Sequence, residues 1–185
     1  QWFNRMDVGI RKFAEETGHS TFMLGPPRAD AALQVQIIED LIAQKVDAIA
    51  VVPFSPETLE PVLRRAMDEG IVVVTHDMGV QANIADRVGI MYAGKIVEEG
   101  SVHTIFRDPK HPYTQGLLNS VPRLDQPDDM ELEAIPGNPP NLLNLPVGCK
   151  FRDRCPKAFD ACTEKPPMQL DEDRHAYRCF LGDTA

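Results

Sequence analysis

Residues 70–100, GIVVVTHDMGVQANIADRVGIMYAGKIVEEG, contain the change of pattern that decides the fold. The run IVVV predicts a strand buried on both faces of a sheet, because apolar and polar residues do not alternate in it as they do in a strand with one solvent-exposed face. The following residues predict a short helix over 80–87 and a hairpin over 88–100 that turns at Ala93-Gly94-Lys95. A buried strand and a hairpin belong to different kinds of sheet, so we interpret residues 74–79 as a join between two structures.

Helices alternate with strands before the join. The segment from Ser55 to Gly70 has an N-cap serine, Pro56 at the first helical position and a glycine after its end. Such alternation predicts an α/β fold, a parallel three-layer sheet with helices on both faces. The predicted helices cover 3–18, 29–45 and 55–70, and the predicted strands cover 20–26, 46–53 and 71–76.

The chain after residue 100 is richer in proline and holds all four cysteines. Short helices are predicted over 101–106 and 111–121, followed by loops with a strand over 132–135. The class is therefore an α/β lobe followed by a small hairpin and helical region and a loop-rich, cysteine-containing extension. The predicted domains are the lobe at 1–77, the hairpin and helical region at 78–122, and the extension at 123–185.

Composition limits the classes of partner. The 185 residues are 43% apolar and 25% charged, with a net charge of -9, which argues against a nucleic-acid surface. No apolar run approaches the ~20 residues of a membrane span, and no signal-peptide pattern is present. We expect no nucleic-acid partner and no transmembrane segment.

The first domain resembles the N-terminal lobe of periplasmic sugar-binding proteins of the rhamnose and autoinducer-2 type. The resemblance is carried by WFNRMDVGIRKFAEETG and QVQIIEDLIAQKVDAIAVVPFSPETLEPVLRRAMDEGIVVVTHD. It implies a ligand at the carboxyl ends of the strands, between two lobes. Trp2 and Phe3 would then lie near an aromatic wall, and Asp77 would accept hydrogen bonds from sugar hydroxyls. The alternative is that Trp2 and Phe3 are core residues and Asp77 a turn residue or helix cap.

From Val74 onward the chain resembles the C-terminal portion of ATP-binding subunits of oligopeptide and dipeptide ABC transporters. VVTHDMGVQANIADRVGIMYAGKIVEEGSVHTIF, DPKHPYTQGLLNSVPRLD, LEAIPGNPPNLLNLPVGCKFRDRCPKAFDAC and RHAYRCF carry this resemblance. It implies that His76 is the switch histidine that contacts the γ-phosphate and holds the attacking water. The alternative is a structural histidine after a strand. The His-Pro-Tyr-Thr motif at 111–114 is interpreted as packing, with the proline opening a helix and the tyrosine ring buried.

The phosphate-binding parts of such an ATPase are not in this sequence. It contains no G-x-x-x-x-G-K-[ST] loop, no signature motif and no acidic magnesium site after an apolar run. Whether the chain is an enzyme is therefore uncertain, and we expect no ATP hydrolysis by this chain alone, with ATP and Mg²⁺ belonging to the parent family. The resemblance implies membrane subunits and a second ATP-binding subunit as partners. It also implies a cytoplasmic location peripheral to the inner membrane, or the periplasm for the parent of the first domain.

The four cysteines could form several kinds of site. Cys149, Cys155, Cys162 and Cys179 are separated by five, six and sixteen residues. The resemblance implies a [4Fe-4S] cluster, for which four thiolates are the usual ligands. A structural zinc ion also takes four thiolates, although close Cys-x2-Cys pairs are absent. The same residues could instead form two disulfides, or remain free and buried.

Taken together, the residues favour a component of an ABC-type peptide importer: the C-terminal region of an ATP-binding subunit with a metal-binding extension. A sugar-type binding lobe is a second hypothesis. A recombined α/β chimera without activity is a third.

Overall fold

The computed structural model describes residues 2–121 and 134–184. The chain divides into two compact units, residues 1–77 and 78–185. Among the described residues, no helix combines the length and the apolar character needed to cross a membrane. The α-helices of the described residues are α1 (Trp2–Thr17), α2 (Ala31–Ala43), α3 (Pro56–Asp68), α4 (Met78–Ile84), α5 (Val102–Arg107) and α6 (Pro112–Asn119). The strands are β1 (Ala48–Val51), β2 (Val72–Thr75), β3 (Arg87–Tyr92), β4 (Lys95–Ser101), β5 (Gln169–Leu170) and β6 (Ala176–Tyr177).

Helix α3 forms where its local signals predict it. The Ser55 side chain accepts a hydrogen bond from the backbone N–H of Thr58, and Pro56 occupies the first turn. The chain leaves the helix through Gly70, whose φ of 84° is the left-handed conformation that favours glycine. The helix buries Leu59, Val62, Leu63 and Ala66 on one face. The capping residues and the apolar face of α3 therefore indicate the same first and last residues for the helix.

Strands β1 and β2 are connected through α3 and pair in parallel, which confirms the α/β class of the first unit. The expectation that both strands would be buried on both faces is wrong. Ile49 and Val51 are buried, whereas the side chains of Val72 and Val74 are 60% and 51% exposed. Burial alternates along β1, and β2 likewise alternates exposed with half-buried positions. Helix α3 packs against the sheet, and α2 packs against α3.

The strand predicted over residues 20–26 is not formed. Residues 18–30 contain no strand, and Phe22, Met23 and Leu24 are exposed. A strand is stable only where a neighbour pairs with its backbone groups, and the apolar run alone did not supply one.

The second unit is organised around the hairpin of β3 and β4. Ala93 and Gly94 have φ values of 48° and 74°, as a tight two-residue hairpin turn requires, and Lys95 begins β4. Val88, Ile90 and Tyr92 alternate along β3 as buried residues. They form one core with residues from later in the chain, which comprises Met78, Val88, Ile90, Tyr92, Val97, Ile105 and Phe151.

The end of the chain returns to this hairpin. Strands β6 and β5 extend it to a four-stranded antiparallel sheet in the order β3-β4-β6-β5. Both added strands are two residues long, too short for a sequence pattern to reveal. The strand predicted over 132–135 falls partly outside the described residues, and its described part, 134–135, is not a strand.

Candidate functional site

The residues proposed for ligand and phosphate contact lie at the two ends of the first unit. Trp2 and Phe3 are in the first turn of α1. His76 and Asp77 follow the carboxyl end of β2, where the backbone N–H of Asp77 donates to the Thr75 hydroxyl over 3.2 Å. The His76 side chain is exposed and Asp77 is half-buried. The roles assigned to these residues stay predictions.

The four cysteines border short 3-10 helices of the extension. Cys149 and Cys155 flank the helix Arg152–Arg154, Cys162 lies in the helix Asp160–Thr163, and Cys179 precedes the helix Phe180–Thr184. All four are free thiols, so the two disulfides that the sequence left possible are not formed in this structure. The sulfur positions are thus set by tight turns rather than by long elements.

One backbone contact holds two of the cysteine loops together. The N–H of Cys149 donates to the carbonyl oxygen of Cys162 over 3.1 Å. Gly148 makes this approach possible, since a Cβ at that position would lie 2.4 Å from the Thr163 carbonyl oxygen and 2.6 Å from that of Cys162. Its φ of 81° is also unfavourable for other residues. A glycine is therefore required where the two loops meet.

Burial and mutual charge set the protonation of the thiols. Burial raises the pKa of Cys149 and Cys155, and raises the pKa of Cys179 to about 11. Charge on Cys149, Cys155 and Cys162 raises the pKa of Cys179 further. A metal ion or cluster with positive charge would reverse this preference and hold the thiols as thiolates.

Nearby backbone amides act in the opposite direction but are outweighed by burial. The amides of Phe151 and Arg152 lower the pKa of Cys149, that of Lys157 lowers the pKa of Cys155, and that of Leu181 lowers the pKa of Cys179. Without a bound cation the thiols of Cys149, Cys155 and Cys179 therefore favour the protonated form.

The described residues contain no group of three or more His, Cys, Asp or Glu side chains able to hold a single metal ion. In a [4Fe-4S] cluster, by contrast, the four cysteines each bind a different iron atom, so their sulfurs are spread around the cluster. Two of the cysteine loops meet through the Cys149–Cys162 backbone bond, and charge on each of the other three cysteines raises the pKa of Cys179, which is compatible with that chemistry.

A buried acid–base pair lies beside this region, and the sequence pattern did not predict it. Glu98 and His175 have fully buried side chains, and Oε1 of Glu98 lies 2.6 Å from Nε2 of His175. Val97 and Glu98 are consecutive residues of β4, and both are buried. The register shift in the β3–β4 hairpin accounts for two neighbouring side chains on the same face. His175 belongs to the RHAYRCF motif, which was the available signal, although the resemblance it carries assigned that histidine no role.

The His-Pro-Tyr-Thr segment packs against the core of the second unit, although the Tyr113 ring is half-buried rather than buried as predicted. Nδ1 of His111 accepts a hydrogen bond from the N–H of Tyr113 and so caps α6, while Pro112 opens the helix. The Tyr113 ring lies 4.6 Å from that of Tyr92 and 5.3 Å from that of Phe151, measured between centroids. Burial lowers the pKa of His111 to about 4, which keeps the ring neutral and able to accept.

Comparison with known proteins divides the chain in two. The family described as "Periplasmic binding protein domain" matches residues 1–94, and the family described as "Oligopeptide/dipeptide transporter, C-terminal region" matches residues 97–162. The first match runs past the join predicted at 74–79, as far as the hairpin turn. Both resemblances inferred from the sequence are therefore confirmed.

Relatives support the second match. The oligopeptide transport ATP-binding protein OppD of Salmonella typhimurium is 47% identical over 123 residues, which are 66% of this chain and 36% of that protein. The dipeptide transport ATP-binding protein DppD of Bacillus subtilis is 47% identical over 122 residues, or 65% and 36% of the two chains. The chain thus spans about a third of the length of these relatives. It belongs to the periplasmic binding protein domain family, and it joins that domain to an oligopeptide/dipeptide transporter C-terminal region.

Proposed function

We propose that the chain is a component of an ABC-type peptide importer, in which residues 78–185 serve as the C-terminal region of an ATP-binding subunit. The observation that carries this proposal is the 47% identity to OppD and DppD, whose names state peptide transport and ATP binding. The structure adds a compact second unit with its own core. By this proposal, its partners are the membrane subunits and a second ATP-binding subunit, on the cytoplasmic face of the inner membrane.

A graft tests the importer role. Residues 78–185 replace the matching C-terminal region of OppD from Salmonella typhimurium, and oligopeptide-dependent growth is measured in a strain that lacks OppD. We expect growth close to that with unaltered OppD, because nearly half of the aligned residues are identical. Normal accumulation of the graft without peptide uptake would contradict the proposal.

We further propose that Cys149, Cys155, Cys162 and Cys179 hold a [4Fe-4S] cluster. When bound, the cluster supplies iron–thiolate bonds that cross-link loops which are otherwise joined by few contacts. The protein supplies the four sulfurs, from loops of which two are joined by the Cys149–Cys162 backbone bond. Tyr92 packs edge to face on Phe151, and the Tyr113 ring packs at a tilt against both. These rings support the loop that carries Cys149.

A second candidate function belongs to the first unit, and the family match at residues 1–94 favours it. Asp77 lies at the carboxyl end of β2, where ligands of open α/β sheets bind, so a sugar-type small molecule is the candidate ligand. Calorimetric titration with pentoses and hexoses tests it. Saturable binding that is lost in Asp77→Asn would support this function, and the absence of heat with every sugar would remove it.

A further inference from the structure

Glu98 in β4 connects two segments that are distant in the sequence. Its Oε1 accepts hydrogen bonds from the backbone N–H of Lys110 and from Nε2 of His175, each 2.6 Å long. Its Oε2 accepts from the backbone N–H of His111 over 3.1 Å. The carboxylate thereby receives three donors, two from the entrance to α6 and one from the tail before β6.

These bonds are costly to break because no water reaches the group. A buried carboxylate that loses a donor incurs a large desolvation penalty, so its partners are held more firmly than surface groups would be. Gly100 leaves room for the imidazole, since a Cβ there would lie 3.3 Å from Cδ2 of His175. Nδ1 of the same ring faces a second carboxylate, with Oδ2 of Asp171 3.5 Å away.

The tail has few other attachments to β4. Strand β6 pairs with β4 at two positions, and Arg178 adds hydrogen bonds to the carbonyl oxygens of Val97 and Ile96. Cys179 follows directly. The other three cysteines belong to a loop with its own anchors, namely the Cys149–Cys162 backbone bond and Phe151, which is 2% exposed in the core.

We propose that Glu98 and His175 form a clasp that positions Cys179 beside the other three cysteines. The entrance to the His-Pro-Tyr-Thr helix is the other half of the clasp, so that the HPYT and RHAYRC motifs act on one carboxylate. This role deepens the cluster proposal above and rests on it for the use made of Cys179. The clasp itself is a property of the protein without metal. Glu98 and His175 are positioning residues that act through the tail.

Residue-resolved thiol alkylation tests the clasp. Reduced, chelator-treated protein is exposed to N-ethylmaleimide, and the rate at each cysteine is measured by mass spectrometry. Glu98→Gln is expected to accelerate alkylation of Cys179 about tenfold or more, with little change at the other three cysteines, because local opening frees the tail alone. The matched control is Glu99→Gln, an exposed neighbour paired with Arg87 over 3.0 Å, which is expected to leave all four rates unchanged.

Two results would overturn the clasp. Equal acceleration at all four cysteines would indicate global destabilisation, and unchanged rates would show that Glu98 does not hold the tail. If Glu98→Gln does not fold, His175→Gln and His175→Leu replace it. Glutamine keeps a donor near the position of Nε2, so its Cys179 rate is expected to stay well below that of the leucine variant, and equal rates would reject the clasp.

The same variants separate failure of the clasp from failure of the cluster. If the wild-type protein contains no iron but alkylation of Cys179 alone is faster in Glu98→Gln, the clasp is supported and the cluster is rejected. Iron-loaded wild-type protein with unchanged alkylation in Glu98→Gln supports the cluster and rejects the clasp.

Discussion

Gly148 shows how one residue governs the cysteine region. It brings Cys149 within hydrogen-bond distance of Cys162 because it carries no Cβ and adopts a positive φ. Gly137 shares the positive φ, at 69°, but a Cβ there would meet its nearest neighbour, Cγ of Arg154, at an ordinary 3.7 Å. A comparison of substitutions at Gly148 and Gly137 therefore separates the cost of a positive φ from the cost of a steric clash.

Gly148→Ala is expected to destabilise the second unit much more than Gly137→Ala. The control incurs only the left-handed penalty of about 1–2 kcal/mol, whereas Gly148→Ala must also push two backbone segments apart. Thermal unfolding followed by circular dichroism, together with the iron content of anaerobically purified protein, measures the difference. Equal midpoints and equal iron for the two variants would show that the close approach at Gly148 is not required.

His111 gives the second unit a predictable pH dependence. Burial lowers the pKa of His111 from 6.5 to about 4 in the folded protein. Between these two pH values the unfolded chain binds a proton at His111 and the folded protein does not. The stabilisation is complete above pH 6.5 and is lost as the pH falls towards 4, by an amount on the order of 3 kcal/mol.

Urea unfolding at a series of pH values, compared with His111→Asn, measures this contribution. Asparagine keeps an acceptor for capping α6 but does not titrate. The wild type is expected to lose more stability than the variant between pH 6.5 and pH 4. Parallel stability curves would mean that His111 is not the responsible group.

At the scale of elements, the parallel pair of β1 and β2 has one buried and one wet face. Val51 is 8% exposed and Val74 is 51% exposed within the same sheet. Continuous apolar sequence in both strands predicted burial on both faces, but covering layers are a tertiary property that a strand's own residues do not specify. We therefore expect this face to be prone to association.

Two isosteric substitutions distinguish the faces. Val51→Thr buries a hydroxyl and is expected to cost about 1–3 kcal/mol, while Val74→Thr is expected to change stability by less than about 0.5 kcal/mol and to reduce aggregation. Chemical denaturation and light scattering measure these effects. A loss of stability at position 74 as large as that at position 51 would show that the face of Val74 is covered.

Local signals predicted the elements that depend on few residues. Ser55, Pro56 and Gly70 located α3, and the Ala93-Gly94 turn located the β3–β4 hairpin. Strands β5 and β6 could not be predicted, since each is two residues long and is held by β4 and its own partner strand rather than by its composition.

At the scale of the whole molecule, the sequence showed two family patterns and the structure shows two compact units, residues 1–77 and 78–185. The four cysteines were singled out from the sequence because their residue type is informative by itself, and their role as cluster ligands stays a prediction. The bond from Glu98 to His175 spans 77 positions and was not predictable, because a glutamate in a strand is ordinarily exposed and no spacing rule joins such distant residues. Only tertiary structure brings the two motifs to one carboxylate.

We propose that the transporter-type extension is a folded region that binds a [4Fe-4S] cluster, and metal analysis of anaerobically purified protein measures this property. We expect about four iron and four sulfide per chain with a broad absorption band near roughly 400 nm, lost in Cys155→Ser and retained in the neighbouring control Thr163→Ser. A colourless protein without iron, or one that contains a single zinc ion per chain, would contradict the claim.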